Sequence, residues 1–294
     1  MKKILLSLTI VALLFAGCSK ENDDSIEDFT SKYVSINATM DLSTKATATA
    51  FESGDVIGVY AWNGSDETIT AGTEKKDYGY DGSDWSTLNP MEWTDLTTNY
   101  YFFGVYPTTD HVVDDFTADP FELVSNQITS DILIATYLTG MNGSNAIAVP
   151  LVFTHAMAKF TINLSHGTEW TTTPTVSSVT VSGAYDNATI NYLTKVVTPT
   201  GKTTDISMPI LSANSEYESV MIPQSISGDI TIVIDKTDYV YTPDTPIVLT
   251  AGKNYILSLV VGHDESVTID PDPSKTKIIE WTTVTGSGYA ETDD

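Results

Sequence analysis

The chain has 294 residues, 41% hydrophobic and 10% aromatic, with 18 Gly and 12 Pro, so a core can form and turns are frequent. Its 14 basic residues are all lysines and face 39 acidic ones, a formal charge of −25 with no arginine anywhere. Arginine dominates recognition of phosphates and base edges, and so acidic a surface repels nucleic acid and anionic membrane, which excludes nucleic-acid binding. The acid excess is first a solubility property and requires neither a metal nor an acidic substrate.

The chain opens with Lys2-Lys3, an apolar run from Ile4 to Phe15, and then Ala16-Gly17-Cys18. Two positive charges before a short apolar stretch form a secretory signal, and the run is too short to cross a bilayer, which needs about 20 residues. Small residues ahead of a cysteine are the pattern of a bacterial lipobox. Residues 1–17 are therefore expected to be a lipoprotein signal peptide, and Cys18, the one cysteine in the chain, the acylated first residue of the mature protein. A chain with a single cysteine has no intramolecular disulfide, so burial and strand pairing must hold the fold even in an oxidising compartment. Residues 18–31 are polar and acidic and read as a flexible tether.

Beyond the tether, helical periodicity gives way to alternation with period two, the mark of half-buried strands. Val34, Ile36, Ala38 and Met40 face one way in the first such segment. Phe160, Ile162 and Leu164 repeat the pattern, with Lys159, Thr161 and Asn163 expected on a polar face. Ile230, Ile232 and Ile234 lead into Asp235-Lys236-Thr237-Asp238, read as a hairpin turn, and then Tyr239 and Tyr241. Tyr255, Leu257, Leu259 and Val261 share one side of a later strand, and a last strand-like run covers Lys277 to Thr285 after Pro271-Asp272-Pro273. Short, Thr-rich strands between Gly, Pro, Asn and Asp clusters predict an all-β fold of sandwiches. Two β-sandwich domains are expected, 32–155 and 156–294, the second ending in a C-terminal strand and tail.

Catalytic signatures are missing: the sequence contains no Gly-x-Ser-x-Gly, His-Glu-x-x-His, phosphate loop or Gly-x-Gly-x-x-Gly. His111, His155, His166 and His263 lack ligand spacing, and His155, flanked by apolar residues, reads as a packed, hydrogen-bonded core histidine. Asp77 to Asp84 and Asp270-Pro271-Asp272 do not match a calcium loop and read as solvated acidic loops. No enzyme activity, cofactor or metal is expected. The early aromatics, Tyr78, Tyr80, Trp85, Trp93, Tyr100, Tyr101, Phe102, Phe103 and Tyr106, offer either a stacking platform for sugars or core; the run at 100–107 reads as a central strand buried on both faces.

Several segments together resemble the fimbrillin-like family, subunits of the type V pili of anaerobic Gram-negative bacteria. They are Phe51-Glu52-Ser53-Gly54-Asp55-Val56-Ile57-Gly58-Val59-Tyr60-Ala61, the Tyr-Phe-x-x-Val-Tyr-Pro run at 101–107, Phe153 to Thr161, Ile222-Pro223-Gln224, Leu249 to Tyr255, and Ile278-Ile279-Glu280-Trp281. The resemblance implies two β-sandwich domains of transthyretin-like (Greek-key) topology, export as a lipoprotein to the outer membrane, and proteolytic removal of an N-terminal segment. It further implies polymerisation with other fimbrial subunits by donor-strand exchange, in which an added strand pairs with an open sheet edge and its alternate side chains fill pockets. In the family a basic residue, commonly arginine, marks the cut. Here Lys45 stands before Ala46 in a Thr-rich stretch suited to proteolysis, so either a lysine-tolerant protease cuts there or the subunit stays unprocessed. The strand at 34–40 is then the displaced strand, with Val34, Ile36, Ala38 and Met40 as its core residues. The donor is expected in the C-terminal run, with Ile278, Ile279, Trp281 and Val284 as anchors, unless that run simply pairs as the last strand of its own domain. A fimbrial subunit supporting adhesion is the expected function. The alternative is a non-polymerising surface lipoprotein that binds glycan or a host ligand.

Overall fold

The computed structural model describes residues 32–41, 50–63, 74–108, 113, 115–124, 130–145 and 147–281. Cys18, Lys45, Ala46 and Val284, with the signal and tether, lie outside the described residues. The described fold is all-β, as the alternation predicts.

The first sheet has seven strands in the spatial order β1 (Ile36–Met40), β8 (Val149–His155), β7 (Leu133–Met141), β5 (Tyr100–Tyr106), β2 (Val56–Asn63), β3 (Glu74–Tyr80) and β4 (Trp85–Ser86). Its pairings are antiparallel except that β1 runs parallel to β8. Both faces are apolar because both are covered. Ile57, Val59 and Ala61 of β2 and Phe102 of β5 point into one cluster that also holds Val34, Ile36, Ala38, Met40, Leu151 and Phe153. Tyr60 and Trp62 of β2, with Phe103 and Val105 of β5, point into another. The reading of residues 100–107 as a strand buried on both faces therefore holds in substance. Gly104 makes room for the Phe153 ring in the first cluster, since a Cβ there would lie 2.5 Å from its Cζ.

The rest of the chain builds two facing sheets. One runs β12 (Ile210–Ser212), β13 (Glu216–Met221), β9 (Ala158–His166), β18 (Lys253–Val261), β19 (Val267–Ile269), with β20 (Lys277–Glu280) also paired to β18. The other runs β11 (Val196–Ser207), β10 (Val176–Asn191), β15 (Ile230–Ile234), β16 (Thr237–Tyr241), with β6 (Asp119–Glu122) also on β10. A short pair, β14 (Ser225–Ile226) and β17 (Ile247–Val248), completes the set. Phe160, Ile162, Val179, Val181, Tyr217, Ile230, Ile232, Leu257 and Leu259 are buried between the facing sheets, the expected sandwich core. Here too the first strand lies parallel to a late one, β9 against β18.

Two local readings change. The hairpin turn is the two residues Asp235 and Lys236, at φ 47° and 70°, while Thr237 and Asp238 already pair with Ile234 and Val233. Left-handed φ at both central positions is the turn geometry whose twist suits a two-residue hairpin. In β9, Lys159 and Thr161 are buried rather than solvent-facing, because Glu218 and Asn254 on the flanking strands meet them.

The third apolar cluster joins the two parts. Tyr60, Trp62, Phe103 and Phe116 meet Ala156, Met157, Ile190, Tyr192, Val220, Ile222 and Trp281. The chain changes sheets at Ala156–Met157, both fully covered, and β6 crosses over to pair with β10. At its edge Tyr192 donates to Asp119 Oδ2 (2.9 Å), and burial beside that carboxylate pushes the phenol up.

Candidate functional site: the seam around the first strand

β1 occupies the end of the seven-stranded sheet and is bonded along one side by β8, in register from Ile36↔Val149 to Met40↔Phe153. Further main-chain bonds close both ends of this pairing, Val149 N–H to Ser35 O (2.8 Å) and Asp41 N–H to Phe153 O (2.9 Å). The opposite side of the strand is held by the segment 85–93. Val34 N–H donates to Met91 O (2.9 Å), Trp93 N–H to Lys32 O (3.1 Å), and the Trp85 indole to Ala38 O (3.0 Å). The Tyr78 hydroxyl donates to Val34 O (3.3 Å), and burial holds that phenol above its ordinary value. β1 thus fills a seam between β8 and β4 in a sheet rolled nearly into a barrel.

The expected core residues of the strand are brought together. Val34, Ile36, Ala38 and Met40 are 5–7% exposed while Ser35, Asn37 and Thr39 face water. Phe51 lies beside them, edge-on to Trp85, Tyr106 and Phe153. The Gly54-Asp55 turn after it is built for this position. Gly54 takes φ +105°, the Asp55 carboxylate accepts from Glu52 N–H (2.6 Å) and the Tyr106 hydroxyl (3.0 Å), and Gly54 N–H donates to Tyr80 O (2.8 Å). Burial, then the Asp55 charge, raises the Tyr106 phenol, so it stays a donor across the ordinary pH range.

The C-terminal run lies near the same seam. An open hollow of about 290 Å³ is lined by Met40, Asp41, Phe153, His155, Glu280 and Trp281, among others, so the end of β1 and the end of β20 share its wall. β20 is docked on β18, with Ile278 and Ile279 58% and 41% exposed and Lys253 paired to Glu280. Trp281 is buried instead. Its ring stacks on His155 at 4.1 Å, and His155 Nδ1 bonds Asp131 Oδ1 at 2.8 Å, the packed and hydrogen-bonded setting expected of that histidine. Of the expected donor anchors, then, two are exposed on an edge strand and Trp281 is engaged at home.

Among the nine early aromatics, Tyr78, Trp93, Phe102, Phe103 and Tyr106 are buried, and Tyr80, Trp85, Tyr100 and Tyr101 are half-buried; none is fully exposed. The acidic loops spend their carboxylates on their own turns. Asp81 Oδ1 accepts from the Ser83 and Asp84 N–H groups (2.8 Å each), and Asp270 Oδ2 accepts from Lys275 (2.8 Å). Sequence reasoning missed the second wall of the seam, Trp85, Met91 and Trp93, because nothing in an isolated Trp-rich loop says which strand it covers.

A sequence model described as fimbrillin-like matches residues 44–274. The chain belongs to the fimbrillin-like family. Solved structures of similar fold agree with this fimbrillin-like chain over most of its length. One from Bacteroides uniformis, described as a candidate cell adhesion protein, shares 20% identity with a TM-score of 0.67, covering 86% of this chain and 100% of that one. Another so described, from Bacteroides ovatus, has 17% identity and a TM-score of 0.62 over 85% and 98% of the two chains. A fimbrial protein from Bacteroides vulgatus has 12% identity and a TM-score of 0.53 over 86% and 100%. At these identities the likeness speaks for the fold. A comparison with curated proteins found no match.

Proposed function

We propose that the chain is a structural subunit of a cell-surface fimbria that supports adhesion, assembled with other fimbrial subunits by strand exchange at the seam around β1. Family membership supports the fimbrial role. The observation that carries the exchange step is the seating of β1. It is short, lies at a sheet end, and with Val34 just before it places four apolar side chains in one core. Its departure leaves the unpaired main-chain groups of β8 beside a row of apolar pockets, which is what strand addition requires.

In this reading the chain is exported as a lipoprotein on Cys18 to the outer membrane, and cutting after Lys45 frees β1. The two units 32–155 and 156–294 act as sandwich domains locked by the shared apolar cluster. The donor comes from the C-terminal run of another subunit. Because Trp281 is engaged in its own chain, the donated part begins beyond it and includes Val284. The aromatics give no support to a glycan platform, since none of the nine is fully exposed.

N-terminal sequencing of fimbriae sheared from cells tests the proposal. Fibres whose subunits begin at Ala46 are expected. Fibres whose subunits retain residues 18–45, or cells that carry the chain only as an unpolymerised lipoprotein, would overturn it.

A further inference from the structure

The buried polar residues of β9, β13 and β18 form a set that neither the fold nor the seam requires. Lys159, Thr161, Glu218 and Asn254 are each less than 9% exposed. Lys159 and Asn254 are direct register partners on the parallel strands β9 and β18, so their side chains leave the same face side by side, with the strands about 4.8 Å apart. Glu218 reaches in from the other neighbour of β9. Its Oε1 takes a bond from Lys159 Nζ at 2.9 Å, and its Oε2 one from the Thr161 hydroxyl at 3.0 Å. That hydroxyl also lies 3.0 Å from Asn254 Oδ1. The Trp281 ring sits 5.6 Å from Lys159 Nζ and helps to close the set off from water.

An amine, a carboxylate bonded to it, and a carboxamide linked to that carboxylate through one hydroxyl, all in a poorly hydrated site, are the ingredients of amide exchange. A buried charged pair is costly to maintain, and moving the proton from ammonium to carboxylate removes both charges at once. We propose that Lys159 and Asn254 form an intramolecular isopeptide bond, with Glu218 as the proton carrier. Lys159 gives one ammonium proton to Glu218. The freed Nζ lone pair adds to Asn254 Cγ, and the carbonyl electrons move onto Oδ1, where the Thr161 hydroxyl, 3.0 Å away and itself bonded to Glu218, stabilises the charge. A second proton passes from Nζ by way of Glu218 to Nδ2, and the Cγ–Nδ2 bond breaks. Ammonia leaves and takes up the remaining proton as ammonium, and Glu218 returns to its starting form. Nothing is oxidised or reduced, and no co-reactant is needed. The new bond ties the first strand of this sandwich to a late one in a chain that has no disulfide to do so, which suits a subunit under tension.

Tryptic mapping of the denatured full chain tests this without depending on any variant. The peptide that starts at Asn254 should remain joined to the one containing Lys159, short of their summed mass by one ammonia, with no cleavage after Lys159. Asn254→Ala should release the two peptides, and Glu218→Gln should leave them unlinked. A free peptide with intact Asn254 from the wild-type chain, together with cleavage after Lys159, would overturn the proposal. A link that persists in Asn254→Ala would overturn it equally.

Discussion

Asp95 shows how single residues of this acidic chain are used. Its carboxylate accepts from the N–H groups of Thr98 (2.6 Å) and Thr97 (2.7 Å) and from the Thr98 hydroxyl (2.7 Å), bonds that favour the charged form. The Thr98 bonds, first the backbone one, then hold its pKa down from 3.8 to about 2. Since the folded value is the lower one, the contribution is fully present above pH 3.8 and is lost as pH falls through about 2. Asp81, Asp115, Asp264, Asp270 and Asp272 are lowered in the same direction, by bonds from backbone N–H groups, hydroxyls or Lys275. We expect a carboxyl NMR titration of Asp95 to give a midpoint at about 2; an ordinary midpoint would mean that the turn is not formed. This use of aspartate was only half legible. Acidic loops were visible in the sequence, but which N–H each oxygen takes depends on turn geometry. The burial of Lys159 was likewise hidden, because its partner Glu218 is 59 residues away.

At the level of elements, β1 carries the functional claim and was the most legible part of the chain. Its alternation predicts which side chains point inward, and Val34, Ile36, Ala38 and Met40 do so. Burying each of the three larger ones is worth roughly 1.5–3 kcal/mol, against a total stability of about 5–15 kcal/mol for a typical domain. A monomeric chain that starts at Ala46 should therefore melt well below the full-length protein, and adding a peptide of residues 32–41 should restore much of the loss. Equal melting temperatures would make β1 a passive tether. β20 was less legible. Ile278, Ile279 and Trp281 alternate as well for an edge strand as for a donor, and only the stacking of Trp281 on His155 separates the two. Truncating a large buried aromatic typically costs about 3–5 kcal/mol. Deleting residues 275–294 should accordingly destabilise the monomer severely, whereas deleting 282–294 should leave its melting unchanged and abolish polymerisation. If removal of 282–294 left polymerisation intact, the donor would not lie in that tail.

Over the whole molecule, the same device appears twice: a first strand laid parallel to a late strand in an otherwise largely antiparallel sheet, β1 on β8 and β9 on β18. Alternation cannot reveal this, since period two specifies which face is buried but not the neighbour or its direction. For the same reason the crossing of β6 to β10 and the third apolar cluster were invisible, although the aromatic run that feeds that cluster was read as buried on both faces. The shared cluster packs the two parts against one another, and in the proposed function the seam around β1 is where another chain enters. The most direct test follows the size of the processed chain, starting at Ala46, by light scattering, with and without the peptide of residues 32–41. Growth into long polymers that the peptide arrests is the result predicted here. A chain that stays monomeric, or polymers that grow regardless of the peptide, would contradict it.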